Sequence, residues 1–377
     1  MDSELRDKLF TVIRSGMGLD TPSIDLSRGD SDELMKLARK QSILPIVYQG
    51  LSNLKISNEW LDVYEKPRMK AVFQVVQQQD ALKRVIAALE SVPVPYILLK
   101  GAVLRNLYPR SDLRTSCDID VLVREEDIDK AVSVIEQKAE FKLLGRNYHD
   151  ISMIDTHVHL ELHFNIKENM ENIDKLLIKA WDYASPAEDG IRYEFSAEFQ
   201  LFHVIAHMSY HMVHGGLGIR PFLDLWLLRN KTEYDEGFLR NMCSECNILT
   251  FYEKCCKMVD PWMNGDPLDP SLTEFETYCL NSGVFGSSET VMASKQRTRR
   301  GTRYLWGRVF MSRANLETEF PELKQKPYLL ASCQIKRWTR LLNKKKRNQV
   351  RQELKDVRQL DPKTVESFDA LLNSLGL

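Results

Sequence analysis

Asp118-Ile119-Asp120, followed by Val121-Leu122-Val123, has residue types and spacing suited to chemistry. Successive side chains of a strand alternate faces, so the two aspartates share one side, about 7 Å apart along the strand, while Ile119 and Val121 point into the core. Two carboxylates so placed can hold a hard cation: Mg²⁺ is usually bound by one or two carboxylates plus substrate phosphates. D-x-D in a strand is also a common exposed polar face. A second segment, His157–Phe164, alternates without a break, with His157, His159, Glu161 and His163 on one face and Val158, Leu160, Leu162 and Phe164 on the other. Such a polar face is costly to bury without partners. If this strand neighbours Asp118–Val123, Glu161 becomes a third carboxylate. Three acids on adjacent strands form a two-metal phosphoryl- or nucleotidyl-transfer site, in which the third shares an ion and accepts the nucleophile's proton.

A third piece is the turn Leu98-Leu99-Lys100-Gly101-Ala102. A glycine between a strand and a helix offers backbone N–H groups to an anion, and Lys100 adds positive charge. The turn is neither a P-loop nor a G-x-G-x-x-G fingerprint.

The elements that position these residues follow from periodicity. Residues 1–91 read as a helical region: Asp30 and Glu33 suggest an N-cap and N3 pair, and Val72 to Leu89 keep a 3–4 residue period in a long helix that Pro67 is expected to open. Val-Pro-Val-Pro at 92–95 ends that pattern. Short strands then alternate with helices through residues 92–195, as in a sheet domain. Residues 196–377 read as mostly helical. The expected fold is α+β, a mixed sheet core between an N-terminal helical region and a C-terminal helical domain.

Composition narrows the class. Hydrophobic residues make up 43% and charged residues 28%, which suits a globular protein. No apolar run reaches the roughly 20 residues that span a bilayer, and the charged, amphipathic N-terminus lacks a signal-peptide core. Seven cysteines at irregular spacing suggest no disulfide framework, so a reducing cytoplasm is expected. Cys243-x-x-Cys246 and Cys255-Cys256 fall at helical spacing among apolar residues and read as buried thiols. The net charge of −1 hides an asymmetry: Lys295–Arg351 carries 17 basic residues and three acids. All eight histidines fall between His149 and His214.

Together the turn, the D-x-D strand and the later acid resemble the nucleotidyltransferase superfamily that includes polymerase beta and the aminoglycoside and lincosamide nucleotidyltransferases. More specifically, the chain looks like a bacterial family of uncharacterised nucleotidyltransferases. The matching stretches are LLKGAVLRNLYPRSDLRTSCDIDVLV (Leu98–Val123), Arg146 to His149, Glu161-Leu162-His163 and Val309–Trp338. Relatives usually carry Gly where this chain has Cys117, and the superfamily's Gly-Ser is Gly101-Ala102. The resemblance implies Asp118, Asp120 and Glu161 as ligands of Mg²⁺ or Mn²⁺, with Glu161 as base. It also implies Lys100, Gly101, Ala102 and Arg114 around a triphosphate, although a salt bridge is an equal reading of Arg114.

His203, His207, His211 and His214 follow one helical stripe. Three readings stand: zinc ligands, satisfied interface histidines, or a wall of the substrate cleft. Relatives with similar histidines and an Asp like Asp224 favour the wall, with His163, His207, His211 and Asp224 as substrate-binding residues. The expected activity is metal-dependent transfer of NMP from an NTP, such as ATP, to an acceptor, releasing pyrophosphate. Phosphoryl transfer at the same metal site, or nucleotide binding by a degenerate site, are the alternatives. A small molecule or peptide acceptor is favoured over RNA, which the basic segment with Trp306 and Trp338 would track. Neither a membrane nor an obligatory protein partner is expected.

Overall fold

The computed structural model describes residues 2–55, 58–147, 149–188, 190–283, 290–294, 326–339 and 362–377, with single positions at 286, 313, 316, 320 and 323. Most of Lys295–Arg351, including Trp306 and the run Lys344–Arg347, lies outside the described residues. The fold is α+β, as expected from the alternation of patterns.

Four helices precede the sheet: α1 Ser3–Gly16, α2 Arg28–Lys40, α3 Leu44–Asn53 and α4 Asn58–Glu90. The cap of α2 falls three residues before the expected one. Ser27 is the N-cap and Asp30 is N3, each side chain accepting from the other's backbone N–H in a capping box. Pro67 lies inside α4 rather than opening it. The missing N–H forfeits a bond to the carbonyl of Val63, whose residue is 65% exposed, so water can satisfy that group.

Among the described residues, seven strands form one mixed sheet: β1 Tyr96–Leu98, β2 Asp118–Val123, β3 Lys142–Arg146, β4 Asp150–Ile154, β5 His159–His163, β6 Ala184–Pro186 and β7 Arg192–Phe195. Their order is β3-β4-β5-β2-β1-β7-β6. A short helix, α5 Gly101–Leu104, follows β1. The sequence pattern anticipates β1 to β5 but not β6 and β7, which are too short to show a period; β7 nonetheless pairs parallel with β1. His157 departs from its expected place. The strand begins at His159, and His157 is an exposed turn residue whose N–H, with that of Val158, donates to Asp155. An Asp that captures two backbone donors ends the ladder there.

The sheet's two faces are unlike. Ile119, Val121, Leu160 and Leu162 pack with Val85 and Leu89 of α4 and with Ala131 and Ile135 of α6 (Ile128–Lys138) in one core cluster. The other face carries Asp118, Asp120, Glu161 and His163, while Leu122 beyond them joins a larger core with the N-terminal helices and with the helices that follow the sheet. Helix α7 Glu171–Leu177 lies between β5 and β6, and the helices that follow the sheet include α8 Ala197–Val213, α9 Ile219–Lys231, α10 Glu236–Glu245, α11 Leu249–Asn264 and α12 Thr273–Ser282. Cys243, Cys246 and Cys255 are buried free thiols.

Close approach of α1 and α3 anchors the N-terminal helices to this core. A Cβ on Gly50 would stand 1.9 Å from the carbonyl oxygen of Val12, and both atoms are held by backbone. Gly50→Ala is expected to cost about 3 kcal/mol in chemical denaturation, the upper part of the usual overpacking range. Gly145→Ala, where an added Cβ meets nothing within 4 Å, should change stability by less than about 0.5 kcal/mol.

Candidate active site between the sheet and the helical wall

Parallel pairing of β2 with β5 places Asp118 opposite His159 and Asp120 opposite Glu161. Alternation then puts Asp118, Asp120, Glu161 and His163 on one face. Asp120 is buried; its Oδ1 lies 3.1 Å from Nε2 of His163 and 3.8 Å from Nζ of Lys100. Glu161, half-buried, has Oε2 3.5 Å from the same imidazole nitrogen. The ligand atoms of Asp120, Glu161 and His163 all lie within 4.8 Å of one another. Antiparallel β4 adds Asp150 opposite His163, and His149 pairs with Asp150 at 2.9 Å while stacking on His163. His163, read as substrate-binding, is buried against Asp120.

The turn after β1 is bent around Lys100, whose φ of 38° lies in the region that favours glycine. Holding lysine there costs on the order of 1–3 kcal/mol, a strain that persists only where the surroundings enforce it. Here Leu99 N–H donates to Asp120 O at 3.1 Å, fixing the turn to β2. The bend delivers the Lys100 ammonium to the carboxylates. A Cβ on Gly101 would meet Arg114 Nη1 at 3.0 Å and Ser116 Oγ at 3.1 Å, so glycine allows this approach. The N–H of Ala102 donates to Leu99 O, leaving it committed to the turn. The segment leading into β2 is clamped from α4: Gln74 and Gln78 both donate to Ser116 O, and Arg105 reaches Gly101 O, Gln78 and Ser116 Oγ. Cys117 is exposed and is not among the residues with positive φ, so the position usually filled by glycine requires none here.

Facing the carboxylates is a wall made by α8 and α9. Arg114 crosses to it: Nε and Nη2 donate to the two oxygens of Asp224 at 2.7 and 2.8 Å, and Tyr108 donates to the same carboxylate at 2.8 Å. This is the salt-bridge reading of Arg114, although a buried one; only Nη1 remains without a partner. On α8, His207 Nδ1 donates to Glu168 at 2.6 Å, and His211 Nε2 lies 3.0 Å from His207 Nε2. His203, His207 and His211 line a small cavity with Lys100, Arg114 and Asp224. His214 is exposed and bonded to Tyr210 O. Among the described residues, neither grouping able to hold a metal includes a histidine of α8.

A family model described as uncharacterised nucleotidyltransferase matches residues 27–264, which span the turn, β2, β5 and both wall helices. The chain belongs to this family. The matched span ends before Val309–Trp338, the last stretch read above as part of the resemblance. No curated protein and no solved structure matches the chain.

The site is electrostatically divided. Burial, then Asp120 and Glu161, push the Asp118 carboxyl up to about 6. For Asp120 burial opposes ionisation, but Lys100 and His163 outweigh it and hold the carboxyl well below its usual range. Burial also disfavours charge on His163, yet hydrogen bonds to Asp120 and Glu161 raise it to about 9. Against burial, the surrounding carboxylates likewise raise Lys100. On the wall, burial and then neighbouring cations lower His203 and His211 to about 3, so both are neutral. Glu168 is held at about 2, since His207 and Lys100 overcome its burial.

Glu168, Tyr108 and Arg220 escaped the sequence reading. Glu168 follows β5 in an irregular loop without periodicity, and the one available signal was that α8 histidines need an acid. Removing one partner of the Arg114–Asp224 pair leaves an uncompensated buried charge. Asp224→Ala is expected to lose about 3–5 kcal/mol in denaturant titration. Arg114→Met combined with Asp224→Leu should recover most of that loss.

Proposed function

We propose that the protein is a divalent-metal-dependent nucleotidyltransferase that moves NMP from an NTP to an acceptor and releases pyrophosphate. The observation that carries this reading is the set Asp118, Asp120 and Glu161 on two paired strands, facing a wall rich in nitrogen donors. Placement with polymerase beta and the aminoglycoside nucleotidyltransferases is part of the proposal. It rests on the order of glycine turn, D-x-D strand and later acid.

The donor set suits a hard cation. Asp118 is pushed up because Asp120 and Glu161 crowd it with like charge in a partly buried place, a condition that a cation relieves. All-oxygen donors favour Mg²⁺ or Mn²⁺ over softer metals. Asp118, Asp120 and Glu161 would hold the ion. When bound, it supplies charge neutralisation on the phosphoryl oxygens undergoing substitution.

The chain's own groups do the rest. Lys100 sets a positive charge at the bend, where it balances Asp120 and attracts the polyphosphate. Gly101 keeps that approach free of side chain. Glu161, less buried than Asp120, accepts the acceptor's proton as its oxygen attacks the α-phosphorus, while the bond to pyrophosphate breaks. His163 holds Asp120 ionised and oriented. His207 and His211 form one wall of the substrate cleft.

No helix among the described residues is long and apolar enough to cross a membrane. For the acceptor we favour a small molecule or peptide, because the cavity in the helical wall beside Lys100 is small.

Incubation of full-length protein with α-labelled NTP, Mg²⁺ or Mn²⁺ and an acceptor panel should give metal-dependent transfer that EDTA abolishes. Asp120→Asn should lower it at least about 100-fold, as expected when a group stabilising transition-state charge is removed. Equal transfer by that variant would overturn the assignment. A product heavier by a phosphoryl group, rather than by NMP, would replace it with phosphoryl transfer.

A further inference from the structure

The cavity between α8 and α9 holds more nitrogen donors than the protein itself satisfies. Arg114 Nη1 and Arg220 Nε, both obligate donors, are buried without hydrogen-bond partners, as is His203 Nδ1, a donor or an acceptor according to tautomer, and all three residues line this one cavity. Arg114 is only 5% exposed. Arg220 donates Nη1 to Thr115 O, and the two oxygens of Asp224 are already taken by Arg114 and Tyr108. Leaving such donors unmet costs about 1–3 kcal/mol each, more for charged groups.

The N-terminus of α9 opens into the same space. Its N-cap is Gly218, with no side-chain cap, and Gly216, Leu217, Gly218 and Arg220 all border the cavity. Gln41 accepts from Ile219 N–H, and Pro221 has none to offer. The positive end of a 13-residue helix thus adds to two guanidinium groups. Lys100 closes the side towards the sheet.

Size limits the occupant. The cavity is small, about 70 Å³. A space of this size suits one compact group.

We propose that this cavity seats a single compact anion, a phosphoryl or carboxylate group, carried by the acceptor. The assignment to the acceptor rests on the nucleotidyl-transfer reading; the anion seat itself does not. The acceptor is therefore an acidic small molecule or a peptide presenting an acidic group. Arg220 and Arg114 Nη1 hold that group while its nucleophile reaches the strand carboxylates.

Inorganic phosphate and acetate serve as probes of full-length protein at fixed ionic strength, followed by ³¹P and ¹³C NMR line broadening. Titrations are run with and without saturating Mg²⁺ and a non-hydrolysable NTP analogue. One of the two anions should bind saturably at one site, with affinity unchanged within twofold by the analogue. Arg220→Gln should weaken it at least tenfold, and Arg220→Lys, which keeps the charge and loses the Nε donor, by a smaller factor. Absence of saturable binding, or equal binding by Arg220→Gln, overturns the seat. Displacement of the anion by the analogue assigns the cavity to the nucleotide's phosphates and overturns the acceptor assignment. If the analogue does not bind while the anion does, the transfer reading falls, and the acceptor assignment with it, leaving the seat in place.

Discussion

The buried pair of Arg114 with Asp224 joins the sheet to the helices that close over it, and the cleft depends on that connection. The polar face of β2 and β5 cannot be covered by an apolar helix, because carboxylates and imidazoles there require partners. Helices α8 and α9 instead bring histidines, Arg220 and Asp224 to the opposite side. Arg114 spans the gap from the segment that leads into β2. Two charge-assisted hydrogen bonds of 2.7 and 2.8 Å, with Tyr108 as a third donor to the same carboxylate, fix how far apart the two walls stand.

On the sheet side, the same economy of charge is left incomplete. Asp118, Asp120 and Glu161 bring three carboxyl groups to adjacent positions, countered by Lys100 and His163. A core of this size gains more stability from apolar residues than from buried charges. The strained lysine at the bend and the crowded acids therefore point to chemistry, since such costs concentrate at functional sites. The clamp from Gln74, Gln78 and Arg105 holds the entry to β2 rigid, which keeps the aspartates at a fixed separation from the turn.

Much of this was legible in the sequence because the strand period is two. Alternation alone put Asp118 with Asp120, and Glu161 with His163, on shared faces. It could not supply the register between the strands, which is a long-range property of the sheet. It also carried His157 into a strand that begins only at His159, since an Asx turn at Asp155 leaves the hydrophobic pattern of the following residues intact. Glu168 and Arg220 were hidden for a related reason. Both lie in or beside irregular backbone, where no periodicity predicts facing, and their roles come from neighbours far along the chain. Arg114 was ambiguous between anion ligand and salt bridge; the fold gives two of its nitrogens to Asp224 and leaves the third unpartnered.

On the proposed function, the carboxylates of β2 and β5 form a cation site that assembles with the nucleotide. Electron paramagnetic resonance of Mn²⁺ with the full-length protein and a non-hydrolysable NTP analogue measures this directly. Mn²⁺ should bind together with the nucleotide, with ³¹P hyperfine coupling, and that signal should be lost in Asp118→Asn and Asp120→Asn proteins that remain folded. Mn²⁺ bound equally well by both variants would contradict it.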